Sequence, residues 1–295
     1  MDENKDVHIS EDSFVTLTKM NHIVEIQYLE KRNTRANIKR INDEDYLVLS
    51  TGEIKNYENG SSRYDSKNSL RRTFKNLRYL INNNFIGAPN ELFITLTYAD
   101  NMKDEKKLYL DVKNFIKRLK YHFKDLSRIE YINVVEPQAR GAWHCHILIK
   151  FIDVKTIYIP NKDISDIWSH GFVNVRGLKN MSIDNIGAYL TAYLADIPLS
   201  DFGLKNLKSS SEVKVIENKS YVKGGRLILY PKGMNLYRCS KGIKKPIRKI
   251  MKYSEAKKYV SAASLTYKNI KNIEIDDFHN SIVYEYYNLK RVNNQ

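Results

Sequence analysis

Three adjacent residues, His144-Cys145-His146, open a run of β-formers that continues as Ile147-Leu148-Ile149. Side chains alternate along a strand, so His144, His146 and Leu148 share one face and Cys145, Ile147 and Ile149 the other. Two imidazoles side by side suit a divalent ion of the transition type and, by ligand softness alone, suit Mg²⁺ less well. Such pairs also occur as packed or polar-face histidines, and the spacing alone leaves both readings open. Cys145 faces away and reads as a small core hydrophobe. Glu136 ends the preceding strand-like run Ile129–Glu136, on the far side of the turn Pro137-Gln138-Ala139-Arg140-Gly141. A hairpin through that turn brings the carboxylate within reach of both rings. Two histidines and a carboxylate would leave coordination positions for water and a phosphate oxygen. Without a metal, Glu136 is a surface residue closing a strand.

A second constellation lies on a helical pattern spanning Ser182–Ala195. Tyr189 and Tyr193 stand at i and i+4, so their phenols stack on one face. Ile183, Ile186, Leu190 and Leu194 form the apolar stripe, with the tyrosines roughly 100° from its centre. That places them at the rim of the packed face, where a hydroxyl can reach a site. Tyrosine pairs with this spacing also serve as core or interface residues. A phenol titrates near pH ~10 and is a poor nucleophile without help. A metal that draws charge from a phosphate makes its attack feasible, and the phosphotyrosine ester formed keeps the bond energy for rejoining.

The elements that would position these groups are legible from periodicity. Leu70, Phe74, Leu77 and Ile81 fall at helical spacing, with Lys67, Arg71, Arg72, Lys75 and Arg78 on other faces, after a cap region at Asp65-Ser66-Lys67. This basic amphipathic helix is either a solvated helix or one that lies along a phosphate backbone. Gly87-Ala88-Pro89-Asn90 punctuates the chain, and a strand Glu91–Tyr98 follows. A helix is expected around Leu108, Val112, Phe115, Ile116, Leu119 and Phe123. Then come the hairpin Ile129–Glu136 and Trp143–Phe151, a short helix Ile164–Trp168, a strand Gly171–Val175 and the tyrosine helix. The order β-α-β-β-α-β, with one further helix, is the split βαβ, ferredoxin-like arrangement of an α+β domain with an antiparallel sheet. One sheet face should carry helices and the other stay open. Residues 22–58 read as short strands, as do Gly225–Tyr230 and Ile282–Tyr287 in the basic segment 201–295.

Composition narrows the class. Lys and Arg number 49 against 34 Asp and Glu, a net charge of +15, which attracts polyanions. The 21 tyrosines add surfaces on which unpaired bases can stack. Two cysteines without a CxxC argue against a disulfide scaffold and fit a reducing cytoplasm. No apolar run is long enough to span a bilayer, and the N-terminus lacks a signal pattern.

Taken together, Phe93-Ile-Thr-Leu-Thr-Tyr98, Trp143-His-Cys-His-Ile147 and Gly187-Ala-Tyr-Leu-Thr-Ala-Tyr193 resemble, in order, three motifs of the HUH endonucleases. The similarity is specifically to the two-tyrosine rolling-circle replication initiators of plasmids and single-stranded-DNA phages, and it covers about residues 91–197. The resemblance implies Mg²⁺ or Mn²⁺ held by His144, His146 and Glu136, with Tyr189 and Tyr193 as nucleophiles. One would nick the origin and the other take over at termination, leaving the protein on the 5′ phosphate and a free 3′ hydroxyl. Candidate DNA contacts are Thr95, Thr97, Tyr98, Arg71, Arg72, Lys75, Arg78 and Arg140. The family often carries a lysine three positions after a nucleophilic tyrosine. Those positions here are Ala192 and Asp196, which passes the role to another residue such as Lys179 and leaves open which tyrosine attacks first. No GxxxxGK[ST] run is present, so single-stranded and origin-duplex DNA, a host helicase and a polymerase are the expected partners, in a bacterial cytoplasm and without a membrane. The expected division is 1–85, possibly DNA-binding, 86–200 as the nuclease, and 201–295 as a strand-rich extension. Rival readings are a two-tyrosine transposase or relaxase, although His122 and His170 are poorly placed for a relaxase's third histidine, and a non-catalytic origin-binding regulator.

Overall fold

The computed structural model describes residues 7–32, 37–42, 44–49, 51–56, 67–181, 184–202, 213–216, 219–222, 224–231, 233–275 and 278–292. The chain forms two compact units, Ser62–Lys245 and a discontinuous one made from Met1–Ser61 with Pro246–Gln295. The boundaries expected near 85 and 200 both fall inside the first of these.

The N-terminal segment holds β1 (Phe14–Met20), β2 (Ile23–Leu29), β3 (Ile38–Arg40), β4 (Asp45–Val48) and β5 (Ile54–Asn56). The central unit holds α1 (Lys67–Asn84), β6 (Glu91–Thr97), α2 (Glu105–His122), β7 (Ile129–Pro137), β8 (Trp143–Phe151), α3 (Asn161–Trp168), β9 (Val173–Gly177) and α4 (Ile186–Ala195). It continues through β10 (Ile197–Pro198), the single turn α5 (Leu199–Phe202), β11 (Val213–Ile216), β12 (Lys219–Val222) and β13 (Tyr237–Cys239). The chain then returns to the discontinuous unit with β14 (Ile247–Lys252), α6 (Tyr253–Tyr259), β15 (Ala263–Ile275) and β16 (Phe278–Val292). The protein is therefore α+β, with antiparallel sheets. No described helix is long and apolar enough to cross a membrane.

In the discontinuous unit, five strands pair in the order β14-β1-β2-β16-β15. Alternation puts Val15, Leu17, Val24, Ile26, Val283 and Tyr287 on one face, where Ala256 of α6 closes a small core.

The central sheet runs β13-β7-β8-β6-β9, all antiparallel. Its inner four strands, with the crossovers α2 and α3, have the split βαβ order expected from the sequence. Asp104 starts α2 by accepting from the N–H groups of Lys106 and Lys107. The apolar stripe of α2 (Leu108, Val112, Phe115, Leu119) and α3 (Ile164, Trp168) cover the face carrying Leu92, Ile94, Leu96, Ile147 and Ile149. The opposite face is partly covered as well. Leu77, Ile81 and Phe85 of α1 and Ile186, Leu190 and Leu194 of α4 pack on Ile132, Val134 and Leu148. The face expected to be open is thus roofed at one end and left accessible at the other.

Two elements differ from expectation. The third strand of the motif is Val173–Gly177 rather than Gly171–Val175. Gly171 has φ +150, and a Cβ there would overlap the backbone of Thr97 and Ala99, so the chain is still bending into the sheet at that point. Gly225–Leu229 is a 3₁₀ turn, not a strand. Gly224 sits at φ 67, which turns the chain before the β-rich residues begin, and Tyr230 then enters the core with its hydroxyl donating to the Val135 carbonyl at 3.0 Å.

Candidate active site

The β7–β8 hairpin has the register the histidine reading needs. Glu136 lies opposite His144 and Val134 opposite His146, and across the sheet Thr97 faces His144 and Thr95 faces His146. Directly opposed residues project to the same side. Glu136, His144, His146, Thr95 and Thr97 therefore share one face, at the end that α1 and α4 leave uncovered. Cys145 is buried on the other face, and burial pushes its thiol up to about 12, which suits an inert core residue.

Ligand atoms of Glu136, His144 and His146 all lie within 4.8 Å of one another. His146 is held on three sides. Its Nδ1 meets the Thr95 hydroxyl at 3.1 Å, its Nε2 meets the Glu136 carboxylate, and the Phe93 ring stacks on it at 5.6 Å. A threonine hydroxyl both donates and accepts, so Thr95 can hold either tautomer of this ring. His144 keeps a weak contact from its Nδ1 to Gln138, while its Nε2 is buried without a hydrogen-bond partner. Burial pushes the His144 pKa down to about 4 against the pull of Glu136, so near neutral pH its ring carries a free lone pair. Burial works to raise the Glu136 pKa, but the His146 hydrogen bond and the charges of His146, Arg226 and His144 outweigh it and hold the carboxylate below its ordinary value. An orphaned nitrogen, a second imidazole and an ionised carboxylate converging in one small gap fit a divalent cation.

Arg226 was not anticipated. It comes from the 3₁₀ turn that the sequence suggested was a strand, and its guanidinium forms a buried ion pair with Glu136. The same side chain donates to the Pro137 carbonyl at 3.0 Å and to the Asp196 carbonyl at 3.2 Å. Asp196 is the C-cap of α4. One guanidinium therefore ties the end of the tyrosine helix to the strand that carries Glu136. Only the adjoining Gly224-Gly225 pair, a turn signal, hinted at this in the sequence. The cation at the triad is Arg226, whereas Lys179 is exposed in the turn Leu178–Met181 between β9 and α4.

The tyrosine helix begins at Ile186, because Asn185 caps it by accepting from the Ala188 N–H; Ser182 and Ile183 lie outside the described residues. Asn82 of α1 donates to Asn185 and accepts from the Gly187 N–H, both at 2.8 Å. A Cβ on Gly187 would lie 2.6 Å from the Arg78 carbonyl, so this position must be glycine for α1 and α4 to touch. With Gly187 and Thr191 turned toward α1 and Ile186, Leu190 and Leu194 toward the sheet, Tyr189 is left on the free side and is 48% exposed. Tyr193 occupies the last turn of α4, one turn before the Arg226 tie; its side chain lies outside what the structure describes.

The remaining candidates divide. Thr97 is half-buried beside the triad, and Arg140 is exposed on the hairpin turn, donating to Gln138 at 3.0 Å. Thr95, expected to meet DNA, is engaged by His146. Tyr98 does not belong to the accessible face: it is buried and donates to Asp111 at 3.0 Å, with burial and that hydrogen bond raising its pKa. On α1, Arg72 is exposed, Lys75 lies over the Tyr79 ring and Arg78 is half-buried against α4; the Arg71 side chain is outside the description. His122 is exposed, and His170 packs against Trp168 and Tyr98.

Residues 91–197, running from the start of β6 to just beyond α4, match the model of a family of replication-associated proteins, the one described under the label ORF2. That match supports a replication-associated role and takes in every residue of the triad and both tyrosines. No curated protein and no solved structure matches the chain.

Proposed function

We propose that the unit Ser62–Lys245 nicks and rejoins single-stranded DNA at a replication origin, as a rolling-circle initiator of the two-tyrosine HUH type. The observation that carries this reading is the tie through Arg226, which sets the tyrosine helix against a carboxylate-and-histidine cluster fit for a cation. Glu136, His144 and His146 would hold Mg²⁺ or Mn²⁺, and the ion, when bound, supplies Lewis-acid polarisation of the scissile phosphate. Thr95 fixes the His146 ring, and Arg226 fixes the Glu136 carboxylate. The phenol oxygen of Tyr189 or Tyr193 bonds to phosphorus as the bond to the 3′ oxygen breaks. The phenol loses its proton and the departing 3′ oxygen gains one. No water is consumed, so the 5′-phosphotyrosine ester can be resealed by the same exchange in reverse. The second tyrosine would allow a further transfer at termination. Single-stranded and duplex origin DNA, with a helicase and polymerase from the host, are the partners this reading requires.

The test is to incubate the protein with labelled single-stranded origin DNA and Mn²⁺ and to run a denaturing gel. A covalent protein–DNA band that disappears in the Tyr189→Phe, Tyr193→Phe double variant is expected. Binding without a band would assign the protein to origin-binding regulators. Cleavage without an adduct would assign the chemistry to hydrolysis by water.

A further inference from the structure

The face that carries the triad continues past β6 onto the edge strand β9. The row Glu136, His144, Thr97 runs on to Phe172, whose carbonyl accepts the Thr97 N–H at 2.9 Å. The next row, Val134, His146, Thr95, ends at Asn174, and the row Ile132, Leu148, Phe93 ends at Arg176. An aromatic ring, an amide and a guanidinium therefore stand at successive same-face positions on β9. Phe172 is 72% exposed, and Asn174 and Arg176 are exposed too. The α1–α4 roof rests on Ile132, Val134 and Leu148, so the β6–β9 half of the face is the uncovered half. At the Gly177 end, Tyr158, 86% exposed, lines a hollow of about 360 Å³ with Arg176 and Asn180.

A single exposed phenylalanine carries no message. This strip differs because it is continuous with the triad and lies two strand spacings, about 10 Å, from His144. Its unit also holds the whole charge excess of the chain: 32 Lys and Arg against 17 Asp and Glu in Ser62–Lys245, and 17 against 17 in the remainder. An anionic occupant with flat apolar faces satisfies all three side chains at once.

We propose that Phe172, Asn174 and Arg176 form a binding strip for the unpaired nucleotides that adjoin the phosphate at the triad. One base stacks on the Phe172 ring, the Asn174 amide reads a base edge and Arg176 takes a backbone phosphate. The position of the scissile phosphate rests on the nuclease reading; the strip itself rests on the register and exposure of β9. Base selection would then be set on this edge strand rather than at the histidines.

The experiment uses the full chain in EDTA, so that no strand is cut. The probe is a mixed-sequence single-stranded oligonucleotide of roughly a dozen nucleotides carrying 2-aminopurine and an end label. Phe172→Ala is expected to weaken binding about tenfold and to abolish the stacking-dependent quenching of 2-aminopurine, while Phe172→Tyr retains both. Arg176→Ala should lower the salt slope by about one phosphate contact. Binding within about twofold of wild type and unchanged quenching in Phe172→Ala would overturn the strip, as would a concentration-dependent self-association lost in that variant, which would give the face to a second copy. Adduct formation by the wild type with unchanged binding in Phe172→Ala would sink the strip and leave the nuclease standing. Strip-dependent binding without any adduct would do the reverse.

Discussion

The two units each bury a carboxylate among tyrosines and basic groups, and only one of these clusters has room for chemistry. In the discontinuous unit, Glu285 accepts from the Tyr253 hydroxyl at 3.0 Å and the Tyr287 hydroxyl at 2.7 Å, and Lys257 donates to Tyr287 at 2.7 Å. Burial raises both phenol pKa values, as do their interactions with Glu285, so these tyrosines stay protonated and act as donors. In the central unit, Glu136 is also satisfied, by His146 and Arg226, but beside it His144 keeps a buried nitrogen with no partner, and Tyr189 is exposed on a neighbouring helix. A cluster whose members satisfy one another holds a fold together. A cluster with one ligand atom left over is open to a further group. Net charge divides in the same way, since the excess lies entirely in the unit with the open cluster.

The sharpest break in this comparison is expected from paired substitutions. His146→Ala should reduce adduct formation by on the order of a hundredfold or more, whereas Tyr287→Phe should leave the adduct yield within about twofold; single-turnover assays on a denaturing gel measure both. Equal losses in the two variants would erase the distinction between the clusters.

Arg226→Leu leaves Glu136 buried without its guanidinium and should cost about 3–5 kcal/mol in urea unfolding. Added Mn²⁺ should restore part of that stability, because a cation replaces the missing charge. A loss that Mn²⁺ does not touch would mean that Arg226 serves packing alone. Gly187→Ala forces α1 and α4 apart and should cost about 1–3 kcal/mol, read in the same unfolding experiment.

The smallest effect is a pH slope. His144 titrates near 4 in the fold and near 6.5 when exposed, so the unfolded chain takes up a proton first as pH falls. The contribution of this ring to stability is complete above about pH 6.5 and declines toward pH 4. His144→Ala should flatten that part of the curve, and a slope unchanged by the substitution would place its origin elsewhere.

The sequence was most informative where contacts are local. The hairpin register that unites Glu136 with His144 follows from a short turn between two alternating strands, and α2 follows from one apolar stripe and an N-cap aspartate. Arg226 was hidden because Leu227-Ile228-Leu229-Tyr230 has strand composition; the turn at Gly224 and the burial of Tyr230 override that preference. The discontinuous unit was hidden for a different reason. Tyr28 of β2 pairs with Val283 of β16, and no local pattern encodes a register between segments so far apart. Tyr98 misled because alternation within Phe93–Thr97 ends at the strand terminus, where Trp168 and Asp111 draw the ring into the core.

The account turns on one small gap among three side chains. Calorimetric titration of the metal-free protein with Mn²⁺ probes it directly. One ion bound per chain, with affinity lost in both His144→Ala and Glu136→Gln and retained in Glu285→Gln, is the expected result. A wild-type protein that binds no Mn²⁺, or a His144→Ala variant that binds it as well as wild type does, would contradict the claim.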